Sequence, residues 1–72
     1  MGSQYSISLS HEQWLSWRKK TRKWMAINEL TTKDLAEALG YSVATVYDAL
    51  NQYERCSRFL VAAINEKMEN IA

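Results

Sequence analysis

Helix-breaking residues are almost absent from this chain. It contains no proline, and of its two glycines only Gly40 lies beyond the first three residues. Because glycine and proline mark most turns, a chain with so few of them is expected to form helices joined by tight connections. No Ser/Gly-rich linker or internal repeat interrupts the pattern. The sequence therefore predicts an all-α fold.

The length of the chain limits what else can hold it together. Its 72 residues are enough for a single domain, 1–72, with a thin core. One cysteine, Cys56, excludes an internal disulfide, and with one histidine, His11, it cannot complete a four-ligand zinc site. We therefore expect no metal and no cofactor, and a core made of the apolar side chains that form 47% of the chain.

Two function classes are not expected from these residues. No nucleophile elbow or glycine-rich phosphate loop accompanies the Ser, His and Asp residues, so we expect neither an enzyme nor a small-molecule substrate. The longest apolar run, residues 59–64, is far shorter than the ~20 residues of a membrane span. No basic start followed by an apolar stretch resembles a signal peptide. We therefore expect an intracellular protein without a membrane partner.

The first helix is predicted from His11 to about Asn28. Ser10 is its N-cap, Gln13 completes a capping box, and Leu9 precedes the cap. At 100° per residue, one arc of the helix is expected to face the core, and it holds Trp14, Trp17, Thr21, Trp24 and Met25. The opposite side is expected to be solvated, with phosphate contact as its functional alternative, and it holds Lys19, Lys20, Arg22 and Lys23.

Two short helices are predicted next, with a tight turn between them. Thr31, with Asp34 in the capping-box position, begins the second helix, and Gly40 ends it. Ser42 can cap the third helix, which runs to about Asn51. A short helix, a turn that contains glycine and a second helix of about this length form a helix-turn-helix arrangement.

The segments that flank this motif are less regular. Residues 52–56 are expected to be polar and irregular, and Ser57 is expected to cap a last helix. Apolar residues recur at helical spacing in that helix and could face a partner once the core is full, as a dimerisation module: Leu60, Ile64, Met68 and Ile71. The first nine residues are expected to form an extended arm, in which polar residues alternate with Tyr5, Ile7 and Leu9.

Charge is distributed unevenly, although the formal net charge is only +1. Residues 11–28 hold five basic residues and one acidic residue, whereas residues 29–55 hold two basic and five acidic residues. The net charge argues against a strongly basic nucleic-acid binder. The basic first third and the acidic middle must each be explained by the function.

The helix-turn-helix segment carries a specific packing pattern. Ala36 is small where the two helices approach, Gly40 permits a left-handed turn, and Val46 anchors the third helix to the second. The complete set of fitted positions is Leu35, Ala36, Leu39, Gly40, Tyr41, Val46 and Ala49. With these residues the chain resembles the Cro/CI (lambda-repressor-like) helix-turn-helix family of phage and bacterial regulators, over about residues 12–68. The resemblance implies four to five helices around one core, operator binding in a genetic switch, and the cytoplasm of a bacterial host.

The residues at the DNA-facing positions of that family depart from its pattern. They are here Ser42, Val43, Ala44, Thr45, Tyr47 and Asp48, and the motif begins with Thr32 and Lys33, where the family often has Gln first. None of the six is Arg, Lys, Gln or Asn, the residues that make bidentate bonds to bases. Asp48 places a negative charge where phosphates would lie. This face is therefore expected to be repelled by DNA.

Two functions remain open at this point. In the first, the patch formed by Val43, Ala44, Tyr47 and Asp48 binds a partner, a CI-type repressor, through its basic DNA-reading surface, with DNA absent or held in a ternary complex. The chain is then similar to small phage proteins of the modulator-of-repression (antirepressor) type. In the second, it is a Cro-like repressor that contacts operator bases through Thr45 and Tyr47 and phosphates through the basic first helix. Tyr47 could also simply lie over the helix junction, and Cys56 is expected to be an inert thiol.

Overall fold

The computed structural model describes residues 9–71, and this part of the chain is almost entirely helical. Its elements are α1 (His11–Ile27), α2 (Thr32–Leu39), α3 (Val43–Asn51), a 3₁₀ turn (Tyr53–Arg55) and α4 (Arg58–Ile71). No strand occurs between residues 9 and 71, so the predicted all-α bundle is confirmed. Of the predicted N-terminal arm, Tyr5 and Ile7 lie outside the described residues.

The first two helices begin with the capping boxes predicted from the sequence. Ser10 Oγ accepts the amide of Gln13 at 3.1 Å, and the Gln13 side chain accepts the amide of Ser10 at 2.9 Å. Thr31 and Asp34 exchange the same pair of bonds, both at 3.0 Å. Each box satisfies two amides that the first turn of a helix leaves without a partner.

Single serine hydroxyls cap the other two helices. Ser42 Oγ accepts the amide of Thr45, and Ser57 Oγ accepts the amide of Leu60, each at 3.2 Å. Ser42 thus caps α3 as predicted, through the amide of Thr45, the third residue of the helix. The starts of all four helices therefore follow from local side chains.

Residues in left-handed conformations end α1 and α2. Gly40 follows α2 with φ 77°, as predicted, and Glu29 lies beyond α1 with φ 56°. After each, the next amide donates to a carbonyl five residues earlier, at 3.0 Å after Gly40 and 2.8 Å after Glu29. This pairing is the Schellman motif, which satisfies carbonyls at the end of a helix. The chain therefore turns sharply at both connections, from α1 to α2 and from α2 to α3.

The helix-turn-helix unit packs largely as predicted. Four of its fitted residues are at most 1% exposed, namely Leu35, Ala36, Val46 and Ala49. Leu39 is half-buried, whereas Tyr41, also one of the fitted positions, is 39% exposed and contributes less to the packing. Tyr41 directly follows the left-handed corner at Gly40, where the chain reverses at the surface of the molecule.

Tryptophan side chains join α1 to the rest of the bundle. Trp14 and Trp17 are buried, as predicted, while Trp24 is half-buried. The indole N–H of Trp14 donates to the carbonyl of Ala49 in α3 at 3.1 Å. The indole N–H of Trp17 donates to Asn65 Oδ1 in α4 at 2.9 Å. The indoles of Trp14 and Trp17 thus fill the core and keep their N–H groups paired.

The segment between α3 and α4 differs from the prediction of a polar, irregular loop. It contains the 3₁₀ turn, whose Tyr53 is half-buried and donates its hydroxyl to the carbonyl of Leu9 at 2.6 Å. The Tyr53 ring also packs edge-on against Trp14, with 5.8 Å between ring centroids, and Cys56 is 1% exposed. The prediction failed because one aromatic and one cysteine in a polar stretch show no periodicity.

Three of the four apolar residues on which the dimerisation alternative rested do not face outward. Leu60, Ile64 and Met68 are buried in the core together with α1 residues. The side chain of Ile71 lies outside the described residues. A chain of this size has few apolar side chains to spare, so these three residues complete the core.

Candidate interaction surface

The outer side of α3 carries most of the residues predicted to bind DNA or a partner. Ser42, at the N-cap, and Val43, Ala44, Thr45 and Tyr47 are exposed, and Asp48 is half-buried. Exposure reaches 57% for Tyr47 and 44% for Val43. An aromatic ring is thus the most prominent group on this side of α3.

Two hydroxyls on the first turn of α3 are already engaged with each other. Ser42 Oγ lies 2.7 Å from Thr45 Oγ1, and it also accepts the Thr45 amide. A hydroxyl that is hydrogen-bonded within this cap has fewer donor and acceptor sites left for the edge of a base. Thr45 is thus a weaker candidate for reading DNA than its exposure alone indicates.

An ion pair marks the edge of the surface next to the 3₁₀ turn. Arg55 Nη1 lies 3.7 Å from Asp48 Oδ2. A shallow depression of about 270 Å³ surrounds the pair and is lined by Thr45, Asp48, Glu54, Arg55 and Ser57. The carboxylate that was expected to repel DNA therefore has a cation beside it, although at this distance and exposure such a pair contributes little to stability.

The start of α2 holds the two remaining predicted contact residues. Thr32 is half-buried and Lys33 is exposed at the second position of the helix. Behind them, the Thr31 amide donates to the Asp34 carboxylate, and this bond holds the pKa of Asp34 below its ordinary value of 3.8. The negative charge of Asp34 thus stays at the N-terminus of α2, where the helix dipole favours it.

The basic residues of α1 do not form one patch. Lys19 and Lys23 are exposed on the side away from the core, as predicted. Lys20 instead lines a groove between α1 and α4, opposite Glu69. Arg22 points to α3, where its Nη2 donates to Asn51 Oδ1 at 2.8 Å. Of the predicted phosphate contacts, only Arg22 is thus brought next to the α3 surface by a described contact.

α1 also supports the C-terminal end of α3. The Trp14 indole donates to the Ala49 carbonyl, and Arg18 Nε donates to the Leu50 carbonyl. Arg22 adds its bond to Asn51. The sequence pattern does not predict these contacts; their only sign is that Arg18 and Arg22 lie at helical spacing from Trp14, on one flank of α1. Cationic donors at the end of a helix satisfy its last carbonyls and match its dipole.

A groove also lies between α1 and α4. It has a volume of about 640 Å³ and is lined by Ser16, Trp17, Lys20, Trp24, Asn65, Met68 and Glu69. The indole nitrogen of Trp24 is buried without a hydrogen-bond partner. No residue of this groove other than Lys20 was a predicted contact.

The described residues, 9–71, contain neither a metal-binding cluster nor a membrane-spanning helix. No group of three or more His, Cys, Asp or Glu side chains there could hold a metal ion. None of the helices in the same range combines the length and the apolar character that crossing a membrane requires.

No protein-family model matches this chain, and no curated protein or solved structure matches it either. The function is therefore argued from the residues and geometry of the α3 surface.

Proposed function

We propose that this chain is a helix-turn-helix regulator of the lambda-repressor-like type that acts by binding another regulator, a CI-type repressor, through the outer side of α3. The observation that carries the proposal is the exposure of Tyr47 on a motif helix that lacks base-reading side chains. In a genetic switch of the phage type, such a chain acts as an antirepressor or modulator of repression.

The composition of the α3 surface supports a protein partner. An exposed tyrosine lies among Val43 and Ala44, and Asp48 lies at the edge. Protein interfaces are built around aromatic anchors with aliphatic neighbours, while charges at the rim fix the orientation. The Tyr47 side chain is 57% exposed, so a partner that covers its ring would bury apolar surface, which favours binding.

The same residues give little support to direct reading of DNA. α3 carries no Arg, Lys or Gln, and its Asn51 is engaged with Arg22 and with the Tyr47 carbonyl. Asp48 adds negative charge, which weakens attraction to phosphates. A basic DNA-reading surface on a repressor would meet Asp48 favourably, and electrostatic attraction of this kind speeds encounter.

Direct operator binding in the manner of a Cro protein is the alternative. It is favoured by Arg22, which lies against the end of α3, and by the exposed lysines Lys19 and Lys23 on α1. Phosphate contacts by such residues would make the affinity for DNA fall as salt rises.

A binding experiment with two variants of α3 tests the proposal. Calorimetry would measure the affinity of a CI-type repressor for the wild type, Tyr47→Ala and Asp48→Arg. We expect Tyr47→Ala to weaken binding by roughly tenfold or more, as truncating an interface aromatic does. Asp48→Arg is expected to abolish it, because the new charge faces a basic partner.

The matched control is Ile27→Ala, which removes an exposed apolar side chain at the end of α1. It is expected to leave the affinity unchanged. The proposal fails if Tyr47→Ala binds the repressor as tightly as the wild type does, or if Asp48→Arg instead produces tighter binding to operator DNA with no effect on the repressor.

A further inference from the structure

Arg22 occupies a distinct position among the basic residues of α1. Its side chain reaches α3 and donates from Nη2 to Asn51 Oδ1 at 2.8 Å. Asn51 in turn donates from Nδ2 to the carbonyl of Tyr47 at 2.7 Å. Two successive hydrogen bonds thus connect an exposed guanidinium to the residue that carries the most exposed ring of α3.

These bonds hold Arg22 in place before any partner arrives. Both polar groups of the Asn51 side chain are used, one by Arg22 and one by the Tyr47 carbonyl. A guanidinium has five N–H donors, and the bond to Asn51 uses one of them. A long side chain that is already oriented loses less conformational entropy when it binds, so Arg22 is better prepared for an interface than an unanchored lysine.

We propose that Arg22 belongs to the protein-binding surface of α3 and donates hydrogen bonds to a carboxylate of the partner protein. This inference rests on the proposed function and adds a contact that the α3 residues do not provide. The surface then has a cationic group at Arg22, beside Asn51 near the C-terminal end of α3, and an anionic group at Asp48, the residue that follows Tyr47.

A carboxylate of a protein fits this arrangement better than a phosphate of DNA. A nucleic-acid backbone that meets Arg22 near the end of α3 and continues along the outer side of the helix would also meet the Asp48 carboxylate and the apolar Tyr47 and Val43. A protein can instead place an acidic group against Arg22, a basic group against Asp48 and an apolar pocket over Tyr47. Opposite charges at Arg22 and Asp48 also fix the direction of docking, because the reversed orientation brings like charges together.

The test compares three changes at neighbouring positions with the CI-type repressor as the probe. Calorimetry would give the affinities of Arg22→Ala, Arg22→Lys and the control Lys23→Ala. We expect Arg22→Ala to weaken binding roughly tenfold, the scale of a lost charged hydrogen bond. Arg22→Lys is expected to stay weaker than the wild type, because lysine keeps the charge but not the planar fork that matches a carboxylate. Lys23→Ala is expected to change the affinity less than twofold.

A fourth variant, Asn51→Ala, separates direct contact from support. It removes the anchor but leaves the guanidinium, so we expect a smaller loss than for Arg22→Ala. Equal losses for the two variants would mean that Arg22 only supports α3, and this would overturn the inference. Thermal unfolding of each variant checks that the helices remain folded at the temperature of the binding measurement.

Other outcomes distinguish this inference from the proposed function. If Tyr47→Ala weakens binding but Arg22→Ala behaves like Lys23→Ala, the inference is wrong and the proposed function stands. If the wild type does not bind the repressor at all, the proposed function fails and the inference fails with it. If Arg22→Ala weakens binding to a labelled operator duplex and leaves repressor binding intact, the group that meets Arg22 is a phosphate, and the inference is overturned.

Discussion

At the scale of single residues, backbone conformation and side-chain type agree at Gly40 but not at Glu29. Both residues have positive φ angles, of 77° and 56°. Glycine adopts this conformation without steric penalty, whereas a residue with a Cβ does not. A Cβ added at Gly40 would meet no atom within 4 Å, so the requirement for glycine there is one of backbone conformation and not of space.

Replacing Glu29 by glycine is therefore expected to stabilise the protein. We expect Glu29→Gly to raise the free energy of unfolding by about 0.5–1 kcal/mol, the relief of left-handed strain less the extra entropy of glycine in the unfolded chain. Urea denaturation followed by circular dichroism would measure the change. Glu29→Ala removes the same charge but keeps the strain, so a stabilisation of equal size in both variants would contradict this explanation.

Cys56 makes stability depend on pH in the alkaline range. Burial raises the pKa of its thiol from 9.0 to about 11. Above pH 9 the unfolded chain releases this proton and the folded protein still retains it. The free energy of unfolding is therefore expected to be unaffected by this group below pH 9 and to fall between pH 9 and about 11.

The control for Cys56 is the variant Cys56→Ala, measured over the same pH range. It differs from the wild type only at this residue, so only the contribution of the thiol is removed. We expect the free energy of unfolding to fall less steeply with pH in this variant than in the wild type. Parallel curves for the two proteins would contradict a buried, protonated thiol.

At the scale of secondary-structure elements, local side chains begin the helices and contacts between helices orient them. The capping residues Ser10, Thr31, Ser42 and Ser57 act within their own turns. The position of α3, in contrast, depends on donors from α1, including the Trp14 indole that bonds to the carbonyl of Ala49. The candidate surface lies on α3, so it depends both on the local cap of this helix and on its contacts with α1.

The capping box of α2 gives a prediction at this scale. We expect Thr31→Ala to lower the free energy of unfolding by about 1 kcal/mol, a typical effect of removing an N-cap hydroxyl. Chemical denaturation would measure it. Thr31→Ser keeps the hydroxyl and is expected to stay close to the wild type. If the serine variant is as unstable as the alanine variant, the hydroxyl is not what stabilises the start of α2.

The difference between local and tertiary contacts explains how much the sequence could predict. Caps such as Thr31 with Asp34, the stop at Gly40 and the buried faces of α1 and α4 follow from neighbours three or four residues apart. The burial of Tyr53 and the bond from Arg22 to Asn51 join residues 29 or more positions apart, and no local pattern encodes them. The same limit applies to the candidate surface: Arg22 and the residues on α3 are predicted contacts, but the bond that places Arg22 beside α3 is not predicted.

At the scale of the whole molecule, the structure shows where the basic and acidic segments of the sequence place their charged side chains. The basic first third is divided between an exposed side with Lys19 and Lys23, a groove with Lys20, and the edge of α3 with Arg22. The acidic middle places Asp48 on the outer side of α3 beside Arg55. A surface with mixed charges around an exposed tyrosine fits a protein partner better than the uniform negative charge of DNA.

The central claim is that the helix-turn-helix of this chain binds a regulator and does not read DNA unaided. The most direct measurement is a titration of the protein into labelled operator DNA, with and without the CI-type repressor, at low and at physiological salt. We expect no shift of the DNA by the chain alone, and a loss or a further shift of the repressor–operator complex when the chain is added. A shift by the chain alone that weakens steeply with salt would contradict the claim and identify a Cro-like operator binder.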